Sequence, residues 1–122
     1  MLLLGAHRIN KGQFDVQICN SIVSNDGILV GTNTNHGGGV YAYYLDQVPQ
    51  GFRGDAFVVF QVPRGIRSEM LIKDIHILGG PAGGDKRFFV LPDKIGVIIK
   101  VPILGFVNCP GFATYPGLIT YV

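Results

Sequence analysis

Runs of apolar residues divide the chain into short strands and one helix. Leu2 to Leu4 opens an apolar strand that extends toward Ile9. From Lys11 to Val23 the spacing changes. Phe14, Ile18 and Ile22 recur every fourth residue, with Val16, Cys19 and Val23 near the same face. That period predicts the one good helix, with Asn10 as N-cap and Asn25-Asp26-Gly27 as its stop. Ile28 to Val30 follows as a short apolar strand, and Gly31 to Gly39 as a polar, glycine-rich loop. Val40 to Val48 is a strand by residue type and a short helix by position. Ala56-Phe57-Val58-Val59-Phe60-Gln61-Val62 is nearly continuous in apolar residues, which predicts a central strand covered on both faces. Further strands are expected at Met70 to Leu78, Phe88 to Leu91, Ile95 to Ile103 and Leu104 to Val107. The tail from Cys109 to Val122 is expected to wrap over a sheet edge. One helix followed mainly by strands reads as an α+β fold with the helix packed on a sheet. Neither a repeat nor a compositional break divides the chain, so residues 1–122 read as a single domain.

Composition narrows the function classes. Apolar residues make up 48% of the chain and charged residues 15%, below the usual quarter or so, which argues for a packed core and against disorder. The 18 glycines, about twice the usual share, fit many turns and short strands. The net charge is +2, and the ten Lys and Arg are scattered, so no strong nucleic-acid footprint is indicated. The longest apolar runs fall far short of a membrane span, and Met1 to Gly5 is too short for a signal-peptide core. So little charge leaves a small solubility margin, which suits a domain cut from a longer protein or one that meets a partner or a second copy. Nothing in the composition places the chain in a compartment.

The two cysteines, Cys19 and Cys109, have no metal-type spacing. They read as two buried thiols, with a disulfide as the alternative. No metal site is expected, and His7, His36 and His76 fall in three separate segments. Candidate chemistry concentrates in Asn35-His36-Gly37-Gly38-Gly39-Val40-Tyr41-Ala42-Tyr43-Tyr44. Three glycines permit close backbone approach to a ligand, and a tyrosine after such a turn offers a flat face with a polar tip. No Gly-Lys-Ser/Thr follows, so this is not a P-loop. Taken singly, each feature also has an ordinary role: His7 as an interior histidine, the tyrosines as core and rim aromatics, the glycines as a turn.

Four pieces in order carry a family resemblance. They are Leu4-Gly5-Ala6-His7-Arg8; a helix leading to Asp26-Gly27-Ile28-Leu29; Gly38-Gly39-Val40-Tyr41-Ala42; and Phe57-Val58-Val59-Phe60-Gln61-Val62-Pro63 followed by Phe88-Phe89-Val90-Leu91. This order resembles the ADP-ribosyltransferase fold, in both its poly-ADP-ribose-polymerase-like branch and its bacterial toxin domains. The resemblance spans Leu2 to about Val107. It implies two packed, mostly antiparallel sheets, a split β-sandwich, with the main helix near the N-terminus. It further implies NAD as substrate in a cleft between the sheets, loss of nicotinamide, and transfer of ADP-ribose to an acceptor that could be a protein side chain, a nucleic acid or a small molecule. The setting would be cytoplasmic or the cytoplasm of a target cell.

Carried over by residue, the resemblance makes His7 the group that holds the adenosine ribose, with Arg8 the neighbouring candidate. Tyr41 would pack at the nicotinamide pocket with Tyr44 beside it, Gly39 would give close approach, and Asn35 would line the mouth. The departure lies in the late strand, where Arg87 stands in place of the family's glutamate. The catalytic carboxylate would then come from Asp85 or from Glu69, the chain's single glutamate. Otherwise the domain binds a nucleotide or a nucleotide-derived signal without turnover, as a phage- or effector-encoded module. A structural β-rich interaction domain is a third expectation.

Overall fold

The structure is a computed structural model. It describes residues 3–9, 15–30, 39–63, 72–76 and 85–122, with the backbone alone described at 15, 72–76 and 85–87. Among the described residues the elements run β1 (Leu4–Ile9), α1 (Asp15–Asn25), β2 (Gly27–Leu29), β3 (Gly39–Tyr44), a 3-10 turn (Gln50–Phe52), β4 (Ala56–Gln61), β5 (Ile72–His76), β6 (Asp85–Pro92), β7 (Ile98–Lys100) and β8 (Ile103–Val107). Six strands form one sheet in the order β5-β6-β3-β1-β4-β8, and β2 and β7 form a second. Every described ladder is antiparallel. The fold is α+β with two packed sheets and one main helix near the N-terminus.

The pleat explains how β4 can be apolar along almost its whole length. Val58 and Phe60 point to one face, where they join Ile9, Val40, Ala42, Phe89 and Leu91 under Cys19 and Ile22 of α1 and Ile28 of β2. Phe57 points to the other face, with Ala6, Val48 and Phe52, beneath Ile119 and Tyr121 of the tail. Both faces are covered, so period-2 alternation of polar residues is absent and the run is continuous. Phe57, Val58, Val59 and Phe60 are each 0% exposed.

The helix covers the sheet with a narrower face than its sequence period suggests. Cys19 and Ile22 are buried, whereas Val16 and Val23 are more than half exposed. Its stop uses Asp26 rather than Gly27. Asp26 takes the left-handed conformation at φ 48°, which a short polar side chain tolerates. Gly27 instead lets β2 approach β7, since a Cβ there would lie 2.5 Å from the Ile99 carbonyl oxygen.

The tail covers the β8 edge as expected. The Phe106 amide donates to the Ala113 carbonyl (2.8 Å) and the Tyr115 amide donates back to the Phe106 carbonyl (2.9 Å). Farther on, residues 120–122 run parallel to 45–50, with Thr120 N–H on the Leu45 carbonyl and Val122 N–H on the Val48 carbonyl, both at 2.8 Å. An exposed row of unpaired backbone groups is thereby removed.

Candidate functional site

The candidate pocket forms where α1 leaves the sheet uncovered beside the end of β1. A hollow of about 360 Å³ is lined by His7 and Arg8 of β1, by Gln17, Ile18, Ser21 and Ile22 of α1, and by Ile28 and Leu29 of β2. The four helix residues fall at i, i+1, i+4 and i+5, which places them on one stripe of the helix. This stripe shares Ile22 with the buried Cys19–Ile22 line, so the same helix both closes the core and walls the pocket.

His7 owes its place to a break in the β1–β3 ladder. The two strands pair at Gly5 with Tyr44 and at Ala6 with Tyr43. At the next position the His7 side chain takes over, and its Nδ1–H donates to the Tyr41 carbonyl at 2.7 Å. That bond sets the tautomer and leaves Nε2 as an acceptor. Burial holds the His7 pKa below its usual range, against the smaller opposing effect of the Tyr41 carbonyl. The ring is therefore neutral near pH 7.

A stability consequence follows from that pKa. The unfolded chain takes up a proton at His7 below about pH 6.5, while the folded chain takes it up only at lower pH. Proton uptake is thus greater in the unfolded state across that window, and stability falls as the pH drops. At and above pH 6.5 the full stability is present; the loss is complete once the pH passes below the folded-state pKa. Urea unfolding at pH 7 and pH 5 measures this. The His7→Gln variant should show a flatter profile between those values, and an unchanged slope would refute the assignment.

Ser21 and Gln17 complete the polar set. The Asn25 side-chain amide donates to Ser21 Oγ at 3.2 Å and to the Ser21 carbonyl at 2.9 Å. The Ser21 hydroxyl accepts there and keeps its own proton to donate. Gln17 supplies an amide that donates and accepts. Arg8 also lines the hollow, but its side chain is engaged: Nε donates to Asp55 at 2.8 Å, and the guanidinium lies 4.7 Å from the Phe52 ring centre. The pocket thus combines apolar walls with neutral polar groups at three points and the ion-paired Arg8.

The structure separates several residues that the family resemblance groups together. Tyr41 meets His7 through its backbone carbonyl, while its ring stacks at 6.0 Å on Phe88. Tyr43 shares the Phe88 and Phe52 surroundings, and burial pushes its phenol up to about 12. Tyr44 points to the helix-covered side and packs at 4.8 Å on Phe89 inside the core. Gly39 makes its close approach to a neighbouring strand rather than to a ligand: a Cβ there would lie 2.6 Å from Val90 Cγ1 and 2.7 Å from the Leu91 carbonyl oxygen. Asp85 opens β6 opposite His76. Ala42 pairs with Phe89, and extending the β1–β3 register by one residue brings His7 level with both. Asp85 therefore lies about 13 Å farther along the sheet and two strands across. Glu69 and Asn35 lie outside the described residues. Among the described lining residues there is no carboxylate.

Gln17, Ser21 and the apolar walls were not legible as site residues. A serine and a glutamine on the outer face of a helix look like an ordinary solvated stripe until the β2 wall stands opposite them. No group of three or more His, Cys, Asp or Glu side chains suited to a metal occurs among the described residues, and no helix among them is long and apolar enough to cross a membrane.

Comparison with family models, with curated proteins and with solved structures returns no match. The resemblance to ADP-ribosyltransferases therefore rests on the order of residues alone.

Proposed function

We propose that the domain binds a nucleotide-type small molecule, with NAD the first candidate, and seats the adenosine end in the pocket beneath α1. One observation carries this reading: His7, Gln17 and Ser21, with the ion-paired Arg8, line a mainly apolar hollow of about 360 Å³, within the size range of small-ligand sites. Neutral His7 offers Nε2 to a ribose hydroxyl or to an exocyclic amine. Ser21 donates, and Gln17 does either. Ile18, Ile22, Ile28 and Leu29 supply apolar walls for a flat ring. Phosphates would lie outside, because Arg8 is engaged by Asp55.

Binding without turnover is the better-supported form of this reading. ADP-ribosyl transfer needs a carboxylate near the nicotinamide ribose to stabilise the oxocarbenium-like transition state, and the described lining has none. Calorimetric titration with NAD, ADP-ribose and adenosine tests the proposal. The wild-type chain should bind all three, and nicotinamide alone should give no heat. Ser21→Trp, which fills the hollow from an exposed helix position, should weaken binding by about 100-fold, or ~2.7 kcal/mol, with little change in thermal midpoint. Absence of heat with every ligand refutes the proposal. Chromatography of the released nucleotide separates its two forms, since intact NAD marks a binding module and free nicotinamide marks an enzyme.

A protein-contact domain is the second reading, favoured by apolar side chains left exposed on α1, on β2 and in the turn before β7: Val16, Val23, Leu29 and Ile95 are each more than half exposed. Light scattering decides it for self-association, as a monomer at every concentration tested would count against it.

A further inference from the structure

Cys19 and Cys109 are 90 residues apart in the chain, yet their Sγ atoms lie 3.7 Å apart. Both are thiols. Cys19 lies in the middle of α1 and is 2% exposed, while Cys109 is half-buried at the edge of the same core cluster. The segment carrying Cys109 is a held turn rather than a loose end. Asn108 adopts φ 56° and its side-chain amide donates to the Asp55 carbonyl at 3.0 Å, and the Phe112 amide donates to the Cys109 carbonyl at 3.2 Å. A disulfide needs sulfurs about 2.05 Å apart. Side-chain rotation and a small shift of the turn supply the remaining approach, because Cys109 is on a surface segment.

We propose that Cys19 and Cys109 form a redox couple that closes to an intramolecular disulfide and staples α1 to the C-terminal segment. The oxidant is a low-molecular-weight disulfide such as oxidised glutathione. The exposures set the order of events. The Cys109 thiolate attacks one sulfur of the oxidant, forming a mixed disulfide and releasing one thiolate. Cys19, as its thiolate, then attacks Cys109 Sγ, forming the internal bond and expelling the second thiolate. The two cysteine protons end on the two released thiols, and two electrons pass from the cysteine pair to the oxidant. Cys19 is too buried to meet the oxidant first, and its contact with Cys109 makes it the resolving thiol. The proposal does not depend on whether the pocket holds a ligand.

The test uses the folded full chain in buffers of graded reduced-to-oxidised glutathione ratio, followed by alkylation and mass analysis. The expected product is a monomer lighter by two hydrogens, with the Cys19 and Cys109 peptides linked. The large loop closed by the bond should raise the thermal midpoint by about 10 °C, reversibly on reduction. Cys19→Ala should stop at a glutathione adduct on Cys109, and Cys109→Ala should acquire none. A wild-type chain that ends as a stable glutathione adduct, as a cross-linked dimer, or as an unmodified dithiol under oxidising conditions overturns the proposal. These wild-type outcomes decide it even if a variant fails to fold.

Discussion

Phe89→Ala lowers the unfolding free energy by about 3–5 kcal/mol, the range for removing a buried aromatic from a core. Phe89 is 0% exposed and joins three strands. Its ring packs 4.8 Å from Tyr44 of β3 and 6.2 Å from Phe60 of β4. Between them it lies over Gly5 of β1, where a Cβ would come within 2.5 Å of Phe89 Cζ and 2.9 Å of Phe60 Cζ. Gly5 is thus the hole into which two phenyl rings fit, and the pair makes a sharper test than either residue alone. Gly5→Ala should cost about 1–3 kcal/mol by overpacking. In a Phe89→Leu background the same change should cost clearly less, because the shorter side chain vacates the space. Urea denaturation of the four proteins in this cycle gives the coupling. Strict additivity would show that the ring does not occupy the Gly5 site. A domain of this size has roughly 5–15 kcal/mol of total stability, so Phe89→Ala takes a large share of it.

Gly105→Val should be about as damaging, at about 3–5 kcal/mol, for a backbone reason. Gly105 sits where the β4–β8 register shifts, opposite Val59, with φ 147°. An L side chain rarely adopts that conformation. The space is closed as well: a Cβ would lie 2.6 Å from both N and Cα of Tyr115 and 3.0 Å from the Thr114 carbonyl carbon. Those atoms are backbone and cannot rotate aside. The tail must therefore peel from β8, and the Phe106–Ala113 and Tyr115–Phe106 hydrogen bonds are lost. Hydrogen exchange locates the damage. The Phe106 and Tyr115 amides should lose protection first, while the β1–β4 ladder keeps its relative order. Uniform loss across the sheet would point instead to a core effect.

Much of the element map is already present in the local pattern. The apolar run 56–62 announced a central strand because both of its faces are buried, and burial on two faces leaves no polar alternation. The break at Asn25-Asp26-Gly27 announced the end of the helix, although the structure gives the left-handed position to Asp26 and the close approach to Gly27. The helix face was less legible. Val16, Ile18 and Val23 carry the same period as Cys19 and Ile22, and only the position of the sheet decides which of them are covered. His7 was a candidate only through the family resemblance, since a lone histidine in a strand is as readily an interior residue. Its tautomer was not legible at all, since that depends on the Tyr41 carbonyl, 34 residues away. Tyr41, Tyr44 and Gly39 were singled out together as neighbours in sequence. In a strand, however, adjacent residues point to opposite faces, and that alternation sends Tyr41 to Phe88 and Tyr44 to Phe89.

What the chain determined by itself is its class: an α+β fold with a heavily apolar core, strands bounded by glycine and proline, and a main helix near the N-terminus. These properties are local, because period, turn chemistry and burial pattern are written within a few residues of one another. What only the tertiary structure decided is adjacency. It placed Gln17 and Ser21 opposite Ile28 and Leu29, brought Cys19 against Cys109, and set Asp85 far from His7. Such pairings depend on strand order and register, which arise from packing the whole chain at once and leave no local mark in the sequence.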